Sequence, residues 1–320
     1  MIPSAPGAED QSRSGVVAVL VVNYHTASAV AQLVDSLVQR AGGVPVLLSV
    51  VDNSCDVDEL AELRAIVAAR HAHLAGATVT AAPSNLGYAA GNNLAWRALV
   101  DAGDDAEVDV VVVANPDVRI VEGTLAALGN FVDDVSPALV SARTISDGTM
   151  SSGHSLIQKM SGRSARAATD QAGRGWLRYP DGHFLAASSE TWRALGGFAE
   201  VFFLYCEEVD LAMRAAELLE ETRLLTSDGI TVEHIGGLST AEGRDRVKSR
   251  LTLHHSTRSR VLLYRRHRSL HAYLPVMIAG RIAWAALLAI KGEPSHGWSV
   301  LSGAAAGVRA PRSPTLGVGA

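Results

Sequence analysis

The stretch Val16-Val17-Ala18-Val19-Leu20-Val21-Val22 is an unbroken apolar run that ends at Asn23. A strand buried on both faces needs a continuous run of this kind, whereas a strand with one wet face alternates apolar and polar residues. Residues 46–51 and 108–114 are similar apolar runs, interrupted only by Ser49 and Asp109. Between them, residues 29–40 place apolar side chains at helical spacing. We therefore predict an α/β fold with a Rossmann-like, mostly parallel sheet flanked by helices.

Composition narrows the class of protein. The chain has 320 residues, of which 48% are hydrophobic and 19% charged, with a formal net charge of −5. Such a chain can bury a sizeable core. The negative balance argues against a nucleic-acid partner, which would require a basic face. Cys55 and Cys206 show no disulfide or metal-ligand spacing, and we expect reduced thiols in a cytoplasmic protein.

Shifts in composition predict the domain boundaries. Residues 1–15 are expected to be a flexible N-terminal tail, and residues 16–243 the main α/β domain. Within that domain, residues 143–180 are rich in Ser, Gly, Arg and Ala, and we expect an irregular insert or mobile loop. Residues 244–303 are predicted to form a basic and apolar helical extension, and residues 304–320 a disordered tail.

The C-terminal extension raises the question of membrane contact. Residues 274–290 are strongly apolar, with Arg281 near the middle. The segment is at the short limit for crossing a bilayer, and a central Arg is costly in lipid. A helix in the membrane interface fits better, next to a basic cluster. A helix packed on the main domain or on a homodimer partner is the alternative. The basic cluster comprises Arg258, Arg260, Arg265, Arg266, His267 and Arg268.

Polar residues at the strand ends are the first site candidates, because parallel sheets bind ligands at their carboxyl ends. Asn23 follows the first apolar run, and Asp52 the second. A carboxylate at Asp52 can accept hydrogen bonds from a base or ribose, or it can simply cap a turn. Asn115-Pro116-Asp117 follows the run at 108–114. Asp117 suits a hard divalent cation bridging to a diphosphate, although Asn-Pro-Asp is also common as a plain turn.

Two further segments carry possible chemistry. In Asn85-Leu86-Gly87, a glycine precedes a predicted helix, a combination that lets a backbone approach phosphate but is also an ordinary turn. Glu207, Glu208 and Asp210 follow an aromatic-rich run, and a paired carboxylate of this kind has a raised pKa and can act as a general base. A charged first helical turn is the alternative. His234 ends a predicted strand and is either structural or a metal ligand with Asp117.

In order and spacing, these segments resemble the inverting glycosyltransferases of family 2, which have the GT-A fold, and in particular their bacterial rhamnosyltransferase branch. The resemblance covers roughly residues 16–240. The matching segments are Val21-Val22-Asn23-Tyr24, Val51-Asp52-Asn53-Ser54, Asn85-Leu86-Gly87-Tyr88, Gly91-Asn92-Asn93, Ala114-Asn115-Pro116-Asp117, Gly196-Gly197-Phe198, Phe203-Leu204-Tyr205-Cys206-Glu207-Glu208-Val209-Asp210-Leu211, and His234 with Gly237 and Ser239.

The resemblance implies roles for individual residues. Glu208 takes the place of the catalytic base, which is normally Asp, and Asp117 with His234 is expected to bind Mg²⁺ or Mn²⁺ at the donor diphosphate. The donor site is expected to comprise Asn23, Asp52, Asn85, Gly87, Asn93 and Asn115. The acceptor site is expected to comprise Phe203, Glu207 and Asp210.

The function that follows is transfer of a sugar, with L-rhamnose from dTDP-rhamnose as the first choice, to a hydroxyl of a glycan or polyprenyl-linked acceptor. Cell-wall or polysaccharide assembly at the inner face of the membrane is the expected setting. A UDP-sugar donor on the same fold is one alternative. A non-catalytic nucleotide-sugar binding protein is another, because Glu208 stands where Asp is usual.

Overall fold

A computed structural model of the chain describes residues 15–167, 173–219, 223–235 and 249–311. The strands are β1 Val16–Asn23, β2 Val46–Asp52, β3 Gly76–Ala81, β4 Val108–Ala114, β5 Val118–Gly123, β6 Ala138–Ser146, β7 Thr149–Ser151, β8 His154–Gln158, β9 Ser164–Arg166, β10 Trp176–Pro180, β11 Phe184–Ser188 and β12 Arg223–His234. The helices are α1 Ala27–Gln39, α2 Val57–Ala68, α3 Gly87–Ala102, α4 Leu125–Val135, α5 Ser189–Leu195, α6 Glu207–Leu218, α7 Arg250–Arg266, α8 Leu274–Ile290 and α9 Pro294–Arg309.

The main sheet runs in the order β3-β2-β1-β4-β11-β6-β12-β5, with β7 paired to β6. The first four strands are parallel to one another. β11 then lies antiparallel between β4 and β6, and β12 lies parallel to β6. The predicted α/β architecture with a mostly parallel, helix-flanked sheet is confirmed.

Helices cover both faces of this sheet, which explains the continuous apolar runs. Val17, Val19 and Val21 of β1 pack into one cluster with α1 and α4, whereas Ala18 and Leu20 pack into the other with α3, α5 and α6. Both sets of side chains are thus removed from water, and neither face needs polar residues. The sheet edge with the carboxyl ends of β1, β2 and β4 is thereby held rigidly in place.

The prediction of an irregular insert at residues 143–180 is wrong for much of that segment. β8, β9 and β10 form a separate three-stranded antiparallel sheet in the order β10-β8-β9. Its strands are short and largely unburied, so they leave no apolar run in the sequence. The turn between β8 and β9 is held by α7: Tyr264 Oη donates to the carbonyls of Gln158 and Lys159, and Arg260 Nε donates to Gly162 O. Residues 168–172 lie outside the described residues.

The C-terminal region also departs from expectation. The disordered tail predicted from residue 304 is wrong as far as Arg309, because α9 runs through it. Glycines bring α9 against α7: a Cβ at Gly303 would lie 2.3 Å from His254 O, and one at Gly307 would lie 2.6 Å from Arg258 O. The Ala- and Gly-rich composition therefore serves close helix packing. The rest of the predicted tails, residues 1–14 and 312–320, lies outside the described residues.

Candidate active site

The carboxyl ends of β1 and β2 place Asn23 directly beside Asp52. Asn23 Nδ2 donates to Asp52 Oδ1 at 3.0 Å and to Glu59 Oε1 at 2.9 Å, and Oδ1 accepts from the amide and the hydroxyl of Thr26. The buried Asn23 amide is therefore fully used inside the protein. This corrects the prediction that its side chain binds the donor: it orients Asp52, whose other oxygen accepts from the Ser54 hydroxyl at 2.8 Å.

A glycine turn meets the same edge. Asn53 Nδ2 donates to Gly87 O at 2.9 Å, and Asn85 Oδ1 accepts from the Gly87 amide at 3.0 Å. Gly87 has φ +76, and a Cβ there would lie 2.2 Å from Phe203 O. Only glycine allows this approach, so Asn85 and Gly87 shape the turn beside Asp52. Asn53, for which no role was predicted, connects the end of β2 to this turn.

Asn93 serves a different purpose from the predicted one. It is fully buried, its Nδ2 donates to Phe198 O and Glu200 Oε1, and its Oδ1 accepts from the Phe198 amide. These bonds fix the turn at Gly196-Gly197-Phe198. The prediction that Asn93 lines the donor pocket is therefore wrong, because none of its polar atoms is left to face a ligand.

Asp117 and His234 are brought together by neighbouring strands. Asp117 precedes β5 and His234 ends β12, and the two strands pair so that His234 lies opposite Val118. His234 Nε2 lies 3.4 Å from Asp117 Oδ1. Burial alone would raise the pKa of Asp117, but the hydrogen bond and charge of His234 outweigh it and hold this pKa below its usual value. Asp117 is therefore a carboxylate at neutral pH.

The side chains of Asp117 and His234, a carboxylate and an imidazole, suit Mg²⁺ or Mn²⁺ that is held jointly with a diphosphate. Among the described residues, no group of three or more His, Cys, Asp and Glu side chains is arranged to hold a metal. Mg²⁺ is commonly bound by one or two carboxylates together with substrate phosphates, and carboxylate oxygen also suits Mn²⁺. Asp117 with His234 fits a cation whose remaining ligands arrive with the substrate.

Glu208 packs against the loop that precedes β11, which also carries His183. A Cβ at Gly182 would lie 1.9 Å from Glu208 Oε1, so the carboxyl group packs directly on this glycine. Tyr88 Oη donates to Gly182 O at 2.5 Å. Burial raises the pKa of Glu208 to about 7. A carboxyl group poised near neutral pH can accept a proton from an acceptor hydroxyl.

Asp181, Gly182 and His183 form a part of the site that no sequence motif indicated. The His183 ring stacks on that of His234 with centroids 4.5 Å apart, and its Nε2 lies 2.8 Å from Thr144 Oγ1. Burial, followed by the nearby His234, lowers the pKa of His183 to about 3, so this ring is neutral. A signal was present, since Asp181-Gly182 stands one residue before the apolar run at 184–187. Antiparallel pairing of that run with β4 puts the turn at the carboxyl end of β4.

The remaining candidates divide between site and scaffold. The backbone N–H of Asn115 donates to His183 O at 2.9 Å, which places Asn115 beside His183 and His234. Phe203 O accepts from the Tyr88 amide at 2.8 Å, and the Phe203 ring packs against His255. Glu207 is buried, and burial followed by the charge of Glu208 raises its pKa well above the usual value. Its acceptor contact stays a prediction.

Asp210 does not belong to the site. It is fully buried and accepts from Arg214 Nε at 2.7 Å, Arg266 Nε at 3.0 Å and His267 Nε2 at 3.0 Å. These partners join α6 to the end of α7. The prediction that Asp210 contacts the acceptor substrate is wrong. Arg266 and His267, at the end of α7, occupy the face of α6 that Asp210 shares with Glu207.

Comparison with known proteins gives the fold. No protein-family model and no curated protein sequence matches this chain. Solved structures do: GalNAc-T7 with UDP, GalNAc and Mn²⁺ has a TM-score of 0.59 at 13% identity, covering 81% of this chain and 50% of that one. This chain therefore spans half the length of the GalNAc-T7 chain.

Two microbial structures are similar in the same way. TarS 1–349 from S. aureus in complex with UDP-GlcNAc has a TM-score of 0.56 at 14% identity, with 92% of this chain and 81% of that one covered. The mannosyltransferase PcManGT from Pyrobaculum calidifontis with GDP-Man and Mn²⁺ has a TM-score of 0.51 at 16% identity, with 92% and 87% covered. At these identities the likeness shows the fold, and the GT-A type is confirmed.

Proposed function

We propose that this chain is a glycosyltransferase that moves a sugar from a nucleotide diphosphate donor to an acceptor hydroxyl. One observation carries the proposal. The pair Asp117 and His234 is joined through the stacked His183 ring to Gly182, and Gly182 packs on Glu208. A candidate cation-binding pair of residues and a carboxyl group with a pKa of about 7 thus flank the loop at residues 181–183. This loop lies at the carboxyl ends of the parallel strands, where sheets of this kind bind ligands.

Each group has a distinct role in a single displacement with inversion at the anomeric carbon. Glu208 takes the proton from the attacking acceptor hydroxyl. Asp52, fixed by Asn23 and Ser54, holds the nucleotide. Asp117 and His234 would hold Mg²⁺ or Mn²⁺, which would supply positive charge against the leaving diphosphate.

The substrate class is supported by the structural neighbours and by the sequence resemblance. The neighbours were solved with UDP, UDP-GlcNAc or GDP-Man, two of them with Mn²⁺. The resemblance to the rhamnosyltransferase branch makes dTDP-rhamnose the first donor to test, followed by UDP-sugars. A glycan or polyprenyl-linked hydroxyl in cell-wall or polysaccharide assembly is the proposed acceptor.

A donor screen tests the substrate class. Thermal unfolding is measured with dTDP- and UDP-sugars in the presence of Mn²⁺, and a ligand at about 100 times its Kd should stabilise the protein by about 2.7 kcal/mol. The hit is then assayed for sugar transfer. Donor stabilisation without transfer or donor hydrolysis would favour the non-catalytic binding protein. No stabilisation by any nucleotide sugar would overturn the proposal.

Glu208→Gln tests the base. Because Gln cannot accept the proton, turnover should fall about 10²- to 10⁴-fold while donor binding persists. In the wild type, turnover should decline as the pH falls through about 7, because protonated Glu208 is inactive. Glu190→Gln, at an exposed position in the first turn of α5, is the control and should leave the rate unchanged. Equal rates for Glu208→Gln and wild type would reassign the base.

A further inference from the structure

The solvent-exposed face of α8 has an unusual composition. Within α8, every residue of which the structure describes, the exposed positions carry no polar side chain. A helix on the surface of a water-soluble protein normally presents charged or polar residues there. The segment Arg268–Ile290 is also long and apolar enough to cross a membrane by length and composition. The exposed positions are Pro275, Val276, Ala279, Gly280, Ile282, Ala283, Ala286, Leu287, Ala289 and Ile290.

The opposite side of α8 packs against the rest of the protein. Met277 and Ala285 are buried, and Arg281 Nη2 donates to the carbonyls of Ser161 and Gly162 at 3.2 and 3.3 Å. The charged residue in the middle of the helix thus faces inward, onto the turn between β8 and β9. α8 therefore lies along the surface of the protein, and it cannot span a bilayer without breaking these contacts.

α9 and a neighbouring turn extend the apolar surface. Trp298, Leu301 and Val308 are exposed on α9, at spacings that place them on one stripe. Met160, in the turn that α8 contacts, is 53% exposed. We call the exposed residues Val276, Ile282, Leu287, Ile290, Trp298, Leu301 and Val308 the α8–α9 face. Exposed apolar side chains concentrated on two helices that contact each other indicate an interaction site.

Charge indicates what covers this face. Residues 249–311 contain nine Lys and Arg residues and one acid, Glu293, although the whole chain has a net charge of −5. Arg268 precedes α8, Lys291 follows it and Arg309 ends α9, and all three are exposed. Cations at the borders of an apolar helical face suit anionic headgroups. A second copy of this face would instead set like charges against each other.

We propose that the α8–α9 face lies in the plane of a lipid bilayer that carries anionic headgroups. The apolar side chains enter the boundary between headgroups and acyl chains, and Trp298 sits at headgroup level. Arg268, Lys291 and Arg309 contact the headgroups around the edge. The inference is independent of the proposed function, since it needs neither donor nor acceptor.

Vesicle flotation of the full chain tests this face. The vesicles consist of phosphatidylglycerol and phosphatidylethanolamine in equal parts, with phosphatidylcholine vesicles for comparison. The wild type should float with the anionic vesicles, and salt at about 1 M should weaken binding because it screens the cations. Ile282→Glu with Leu287→Glu should lower the bound fraction at least tenfold. Val57→Glu, which places the same charge on an apolar residue that is 79% exposed, is the matched control and should bind as wild type.

Three results would overturn the proposal. One is equal flotation of wild type and the double variant, provided both unfold at the same temperature. Another is a wild-type dimer in sedimentation analysis that the double variant dissociates, with no vesicle binding, since a second copy would then be the partner. The third is protein that stays with the vesicles through a sodium carbonate wash, which indicates a spanning helix.

Discussion

Asp210 shows how a single buried charge can organise the scaffold behind a site. Burial alone would raise its pKa, but the hydrogen bond from His267 and the charges of Arg214 and Arg266 outweigh that effect and pull the pKa down to about 2. The carboxylate is therefore stabilised by partners from two helices. Its contribution to folding is present above the unfolded pKa of about 3.9 and is lost as the pH falls toward 2.

Asp210→Asn should destabilise the protein at pH 7 by about 3–5 kcal/mol, because Arg214 and Arg266 lose their buried counter-charge. Urea unfolding measures this difference, which should narrow as the pH falls below about 4. Asp35→Asn is the control: Asp35 is held by Arg70 at 2.6 and 2.9 Å, but its side chain is 49% exposed. That surface pair should cost at most about 1 kcal/mol. Similar losses in the two variants would contradict the assigned role of Asp210.

The same residue marks the limit of prediction from local spacing. Helical periodicity correctly put Glu207 and Asp210 on one face of α6 and Glu208 on another. It could not say what covers that face, because Arg266 and His267 come from a helix far along the chain. Asn93 and Asn23 are similar cases: each stands in a recognisable motif, but its partners are backbone and side chains from other elements. Asp117 and Glu208 both lie near the loop at residues 181–183, and their roles in the site stay predictions.

At the scale of elements, the ends of α3 show two different reasons for a glycine. Gly87 begins the helix with φ +76 and would place a Cβ 2.2 Å from Phe203 O. Gly103 caps it with φ +80 and has no atom within 4 Å of a Cβ, among the residues that the structure describes. The first position requires both the backbone conformation and the space, and the second requires the conformation alone.

Gly103→Ala should therefore cost only the left-handed conformation, about 1–2 kcal/mol. Gly87→Ala carries that cost plus a clash between the turn at 85–88 and the Phe203 backbone, so we expect a clearly larger loss of stability. It should also weaken donor binding, because Asn53 holds the same turn beside Asp52. Thermal unfolding of both variants, with and without donor, measures the difference. Equal losses, with donor binding intact, would show that the turn tolerates a side chain.

Elements were predictable where burial is complete. The apolar runs of β1, β2 and β4 left clear signals in the sequence. The strands β8 to β10 left none, because they are held by backbone pairing and by side chains of α7. α9 was missed for a related reason, since small residues that permit close packing resemble a low-complexity tail.

At the scale of the whole molecule, α7 shares its hydrophobic core with the main sheet and its helices. Val261, Leu262, Leu263 and Tyr264 of α7 are fully buried in the same cluster as the core of α3, α5 and α6. α7 also holds the β8–β9 turn and supplies Arg266 as a partner of Asp210. The predicted boundary at residue 244 follows a change in composition, whereas the hydrophobic core continues across it. Composition reports what a segment contains, and it cannot report which surface that segment covers.

A chain that ends at residue 248 should therefore fail to fold cooperatively. Burial of four large apolar side chains stabilises a protein by roughly 6–12 kcal/mol, which is comparable to the whole stability of a typical domain. The truncated chain would also leave Asp210 with Arg214 as its remaining cation in the α6–α7 cluster. Calorimetry should show no sharp transition, whereas Ile282→Glu, on the exposed side of α8, should unfold at the wild-type temperature. A truncated chain with a sharp transition and wild-type donor binding would mean that residues 16–243 fold on their own, and that α7 is an appendage after all.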